Sequence, residues 1–189
     1  MEALSAQDVL FAAAAGVAIA AACGLRAFLP LLALGLGVRT EFLHVAPSAE
    51  WIGSTPALLT LVWATVIELA ADKVPALDHA LDLVATGLRP LAAAVAAWCT
   101  FAGVHPAVAV AAALILGTGA MGVHVAKAKV RLGSSMLTLG SANPLLSFVE
   151  DGLATGLAAM AVLAPLAALL GVGIFAWALV RVFRGRTRT

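Results

Sequence analysis

Charge is what this sequence has least of. Only 11% of its 189 residues are Asp, Glu, Lys or Arg, against about 25% in an ordinary soluble domain. With 63% hydrophobic residues, the chain carries more apolar surface than a water-soluble fold of this size can hide. Lipid is therefore the expected solvent for most of it. A net charge of +1, with no basic patch interleaved with aromatics, points away from nucleic acid as a partner. The two cysteines, Cys23 and Cys99, sit in apolar runs without metal-ligand spacing and read as small buried hydrophobes. No Gly-x-Ser-x-Gly, His-Glu-x-x-His or phosphate loop is present to carry hydrolase, zinc-protease or nucleotide chemistry. The opening "MEALSAQDVL" lacks the basic region and small-residue cleavage site of a signal peptide, so the first apolar segment is expected to stay in the chain.

What is present is a series of apolar runs. A helix needs roughly 20 apolar residues to cross a hydrocarbon core of about 30 Å. Residues 56–72, 88–101, 106–127, 144–163 and 165–183 read as five such segments, several of them opened by a proline. The sixth, 9–38, would be about 45 Å long as one helix and too long for a straight span. It is interrupted between Gly24 and Pro30, in "CGLRAFLP", and is read as one broken element. The expected fold is an all-α polytopic membrane bundle of about six segments in a single domain, 1–189, with a basic cytoplasmic tail at 184–189. Nine Lys and Arg then fall on inner stretches and one, Arg39, on an outer one. That bias predicts a multi-pass protein of the bacterial inner membrane with both termini cytoplasmic.

The scarce charges are not scattered. Glu68 and Asp72 lie one turn apart on one helix face. Asp78, Asp82 and Arg89 share a stripe of the next helical stretch, with His79 beside it. Two readings compete for Asp78, His79, Asp82 and Arg89: a solvated connector, or a cytoplasmic vestibule. Glu68 is deeper, inside "LLTLVWATVIELA", where a lipid-facing carboxylate would cost roughly 2.5–3.5 kcal/mol. Arg26 is embedded in the broken first segment, and Glu68, Glu150 and Asp151 are its candidate partners. Asn143, Ser147 and Glu150 share a helix face, an oxygen-rich set that suits a hard cation. His79 and His124 are candidates for a softer metal or a proton relay. No resident cofactor is implied; a bound or transported cation is.

"IELAADKV" with "GLRPLAAAVAA" resembles "GVHVAKAKV" with "SANPLLSFVED", a candidate internal repeat in which Glu68 matches His124 and Lys73 matches Lys129. Transporters often bind substrate at such a repeat interface beside a broken helix. The stretches "CGLRAFLPLLALGL", "ELAADKVPALDHALDLVATGLRPLAAAVAA" and "NPLLSFVED" together resemble the bacterial integral membrane proteins grouped as domain of unknown function 4126. The resemblance runs from about Gly16 to Leu170 and implies a membrane protein without an assigned activity. "ELAADK" is also similar to the acidic motif of a family of manganese/calcium–proton exchangers, with its carboxylates four apart instead of three and its Gly missing. The leading functional expectation is a small transporter or channel for a cation. In it Glu68, Asp72, Glu150, Asp151 and Asn143 bind the ion, and Arg26 is the counter-charge. The alternatives are a lipid-handling intramembrane enzyme, or a structural subunit whose "GTGAMG" and "GLATG" stretches pack helices closely, a homo-oligomer included.

Overall fold

A computed structural model describes residues 5–71, 75–138 and 141–186. The described residues form seven α-helices: α1 Ala6–Cys23, α2 Phe28–Arg39, α3 Thr55–Ala71, α4 Pro75–Phe101, α5 Pro106–Thr138, α6 Asn143–Leu163 and α7 Pro165–Arg186. A short 3₁₀ helix, Pro47–Gly53, precedes α3. Four helices are long and apolar enough to cross a membrane, or five if the 3₁₀ helix and α3, bent by 51°, count as one span. That is slightly fewer than the six expected. The difference is the segment expected at 165–183, of which only Pro165–Ile174 counts as an apolar helix among the described residues; α2, with 12 residues, belongs with α1 to the one broken segment expected at 9–38.

The packing is inside out by the standards of a soluble protein. Alanine makes most of the core, including Ala15, Ala18, Ala22, Ala93, Ala96, Ala97, Ala154 and Ala161. Large apolar side chains such as Trp63, Ile67, Leu114, Ile115, Leu170 and Trp177 point outward. Lipid tails are as apolar as leucine, so membrane helices associate through close backbone approach over small residues, and the bulky ones face the tails. Together these features make the chain a membrane-embedded helical bundle.

Helix α1 is its axis. It touches α2, α4, α5, α6 and α7, and nine residues between Ala12 and Cys23 are buried on every side of it. It packs tightly against α4. A Cβ added at Gly16 would lie 2.0 Å from Thr100 Oγ1 and 2.8 Å from Thr100 Cβ. Thr100 cannot swing aside freely, because its hydroxyl already donates to the Ala96 carbonyl at 2.9 Å. Gly16→Val is expected to destabilise the bundle by about 1–3 kcal/mol through overpacking. Thermal unfolding in detergent measures this, and adding Thr100→Ala should recover part of the loss.

The break after α1 is a reversal. Asp8 Oδ1, near the start of α1, lies 3.5 Å from His44 Nδ1, just past the end of α2. A continuous helix would hold Asp8 about 46 Å from Arg39. Thus α1 and α2 form a hairpin, and the chain begins α3 at the end of the bundle where α1 began. Gly37 against Val162 marks that same end for α6. The charged connectors did not stop the helices. Helix α4 starts at Pro75, thirteen residues before the expected span, and α5 runs on to Thr138.

Candidate functional site

The tip of the α1–α2 hairpin gathers the buried charge. Helix α1 ends at Cys23, and the amides of Leu25 and Arg26 return to the Ala22 carbonyl at 2.9 and 3.0 Å. Helix α2 then begins with amides that have no partner in their own helix. The carboxylate of Glu68, reaching from α3, accepts two of them: Ala27 N–H at Oε1 (2.8 Å) and Phe28 N–H at Oε2 (3.1 Å). Pro30 falls in the first turn, where its missing N–H costs nothing. Glu68 is therefore a helix cap placed at the positive end of the α2 dipole.

Arg26 takes Asp151. Its Nη2 lies 2.5 Å from Asp151 Oδ1 and donates to Ser147 Oγ at 3.1 Å. The guanidinium is 1% exposed, the largest fully buried side chain described. Beside it, Glu150 is held by two cations from α5. Lys127 Nζ lies 2.8 Å from Glu150 Oε2, while Arg131 donates from Nη2 at 3.0 Å and from Nε to Oε1 at 3.3 Å. Lys127 also donates to the Leu25 carbonyl at 3.3 Å, so α5 and α6 are both tied to the hairpin tip. One turn back on α5, His124 Nε2 meets Thr86 Oγ1 at 3.2 Å and its Nδ1 meets Arg89 Nη1. A guanidinium only donates, so toward Arg89 the imidazole can serve only as acceptor.

The site thus joins Arg26, Glu68, Glu150 and Asp151 of the expected set. It adds Lys127, Arg131 and the Leu25 carbonyl, which sequence reasoning had not assigned to it. Their signal was legible: His124, Lys127 and Arg131 at i, i+3 and i+7 form one helical stripe. Arg89, of α4, is 2% exposed and meets His124 of α5. Asp72 lies outside the described residues, and so do the side chains of Asn143, Asp78, His79 and Asp82. Among the described residues, no three His, Cys, Asp or Glu side chains converge as a metal cage. The positions paired by the candidate repeat do different work: Glu68 caps α2, and His124 binds α4.

Chemically, the cluster is a set of ion pairs at the meeting point of two helix ends. In a low-dielectric interior such pairs hold only if each charge keeps its partner. A displacement of the tip must exchange partners, not simply remove them. The model of the family described as "Domain of unknown function (DUF4126)" matches residues 13–185 of this chain. No curated protein and no solved structure matches it.

Proposed function

Because the chain belongs to the DUF4126 family, whose function is unknown, we propose its role from the cluster itself: a small membrane transporter for a cation. The observation that carries the reading is the hairpin tip. There two helix ends point into the bundle interior and each meets an opposite charge from another helix, Glu68 at the start of α2 and Lys127 at the carbonyl after α1. Broken helices with complemented ends are the usual setting for ion coupling in transporters. Glu150 serves two cations at once, so it can surrender one to an incoming ion or proton and stay paired. This favours partner exchange over a preformed carboxylate cage. The satisfied pairs also favour a second reading, a purely structural lock in a membrane assembly.

Flux in proteoliposomes across a panel of mono- and divalent cations, with and without a pH gradient, separates the two. Wild type should carry one of them, and Glu68→Gln, which keeps shape but loses the charge capping α2, should cut the flux at least tenfold. Folded wild-type protein that moves no cation would sink the transport reading and leave the structural one.

The proposed setting is the bacterial inner membrane with the hairpin tip toward the cytoplasm. Lys127, Lys129 and Arg131 lie about 30 Å or more along α5 from Pro106, on the tip side. The reversal at the tip then supports an outer N-terminus, opposite to the sequence expectation, while the basic C-terminal residues keep their cytoplasmic place. Ser5→Cys should react with an impermeant maleimide on intact cells, against a silent background, since Cys23 and Cys99 are 0% exposed. Labelling only after permeabilisation would restore the cytoplasmic N-terminus.

A further inference from the structure

The geometry points to a monovalent-cation site at the position now held by the Lys127 ammonium, with Lys127 as its built-in competitor. An ammonium has three donors and no acceptor, so whatever it touches must offer lone pairs. Here these are the Leu25 carbonyl at 3.3 Å and Glu150 Oε2 at 2.8 Å. One is a main-chain carbonyl just past the last turn of α1, where the helix dipole is negative. The other is a carboxylate. Oxygens of this kind at an unwound helix end are what sodium and similar hard ions coordinate.

Charge fixes the valence. Lys127 and Arg131 bring two positive charges to the single negative charge of Glu150, a sum of +1, in a site where the lysine side chain is 4% exposed. A singly charged ion replaces the ammonium without altering that sum, whereas a divalent ion would leave an extra buried charge. The lysine can also leave. Its four-carbon stem is flexible, and it stands on the part of α5 closest to the proposed inner face, where a long side chain can extend along apolar surface to water. Sodium or potassium entering and Lys127 departing would be one exchange. The Leu25 carbonyl couples it to the hairpin tip.

This deepens the transport reading for its meaning in the cell, but its test is binding and needs no flux. Purified full-length Lys127→Met in detergent is unfolded thermally in sodium, potassium or choline chloride at equal ionic strength. Sodium or potassium should raise the midpoint saturably, by roughly 3–6 °C at about ten times the dissociation constant. Wild type should shift far less, and Lys127→Met with Glu150→Gln not at all. If Lys127→Met folds only when sodium or potassium is present, that rescue is the same result. Lys127→Gln, which keeps a donor without the charge, is the second variant and should respond likewise. A folded Lys127→Met or Lys127→Gln that is indifferent to the three salts overturns the proposal. So does a shift that persists without Glu150, or failure of both variants to fold in any salt. Cation-dependent stabilisation without flux would keep the site and remove the transport reading.

Discussion

Glu150→Gln should destabilise the bundle by about 3–5 kcal/mol, the usual cost of removing one partner from a buried ion pair. The carboxylate is the one described anion touching both Lys127 and Arg131, and these residues are 7% and 8% exposed. Neutralising it removes a carboxylate that both cations touch, in a region that solvates charge poorly. The loss should be read by unfolding in detergent, as a fall in midpoint together with a fall in folded yield. The companion experiment removes all three charges at once, Lys127→Met with Arg131→Leu and Glu150→Leu. Well-packed apolar replacement of a buried ionic group is often neutral or stabilising, so this variant should regain most of the loss. If it does, the cluster is not needed for folding. Loss of flux in the same variant would then assign its purpose to transport. A triple variant less stable than Glu150→Gln would mean instead that these charges are what holds α5 and α6 to the tip.

The pair between Arg26 and Asp151 should respond unequally to loss of either member. Asp151→Asn takes one carboxylate from a guanidinium at 1% exposure, whereas Arg26→Met takes the guanidinium from a carboxylate that is 20% exposed and can draw on water. The first should cost about 3–5 kcal/mol. The second should cost nearer 1–3 kcal/mol, the range for a polar group left imperfectly satisfied. Equal costs would mean that the Asp151 side is as dry as the Arg26 side. A coupling near zero in the double-mutant cycle would mean that the 2.5 Å contact does no more than fill space.

Most of the helix inventory was legible because apolar runs and prolines are local signals. The expected segments at 56–72, 144–163 and 165–183 agree with α3, α6 and the start of α7 to within a few residues. The α1–α2 reversal was not legible. A hinge, a kink and a hairpin all look the same in an apolar run broken by Gly, Arg and Pro. What marks this reversal structurally is a cap from Glu68, some 40 positions away. The helical connectors were underestimated for another reason: Asp, His, Lys and Arg stop a hydrophobic count but not a helix, so α4 and α5 outran their apolar cores. In the site, burial identified Arg26, Glu68, Glu150 and Asp151 as out of place in lipid. Which carboxylate answered which cation was set by helix packing. Lys127 and Arg131 read in the sequence as charges that orient the chain, which hides them as buried partners.

The alanine-built axis turns the usual rules of substitution upside down. In an ordinary core the costly change is a large residue made small, and the permissive positions are small and peripheral. Along α1 nearly every buried site is already close to the smallest size available, so almost any replacement there is an enlargement with nowhere to go. The leucines, valines and tryptophans on the outside meet only fluid tails and can be interchanged with little penalty. A complete substitution scan should therefore show its most intolerant positions at the residues that look least distinctive, and its most forgiving ones at the bulky hydrophobics.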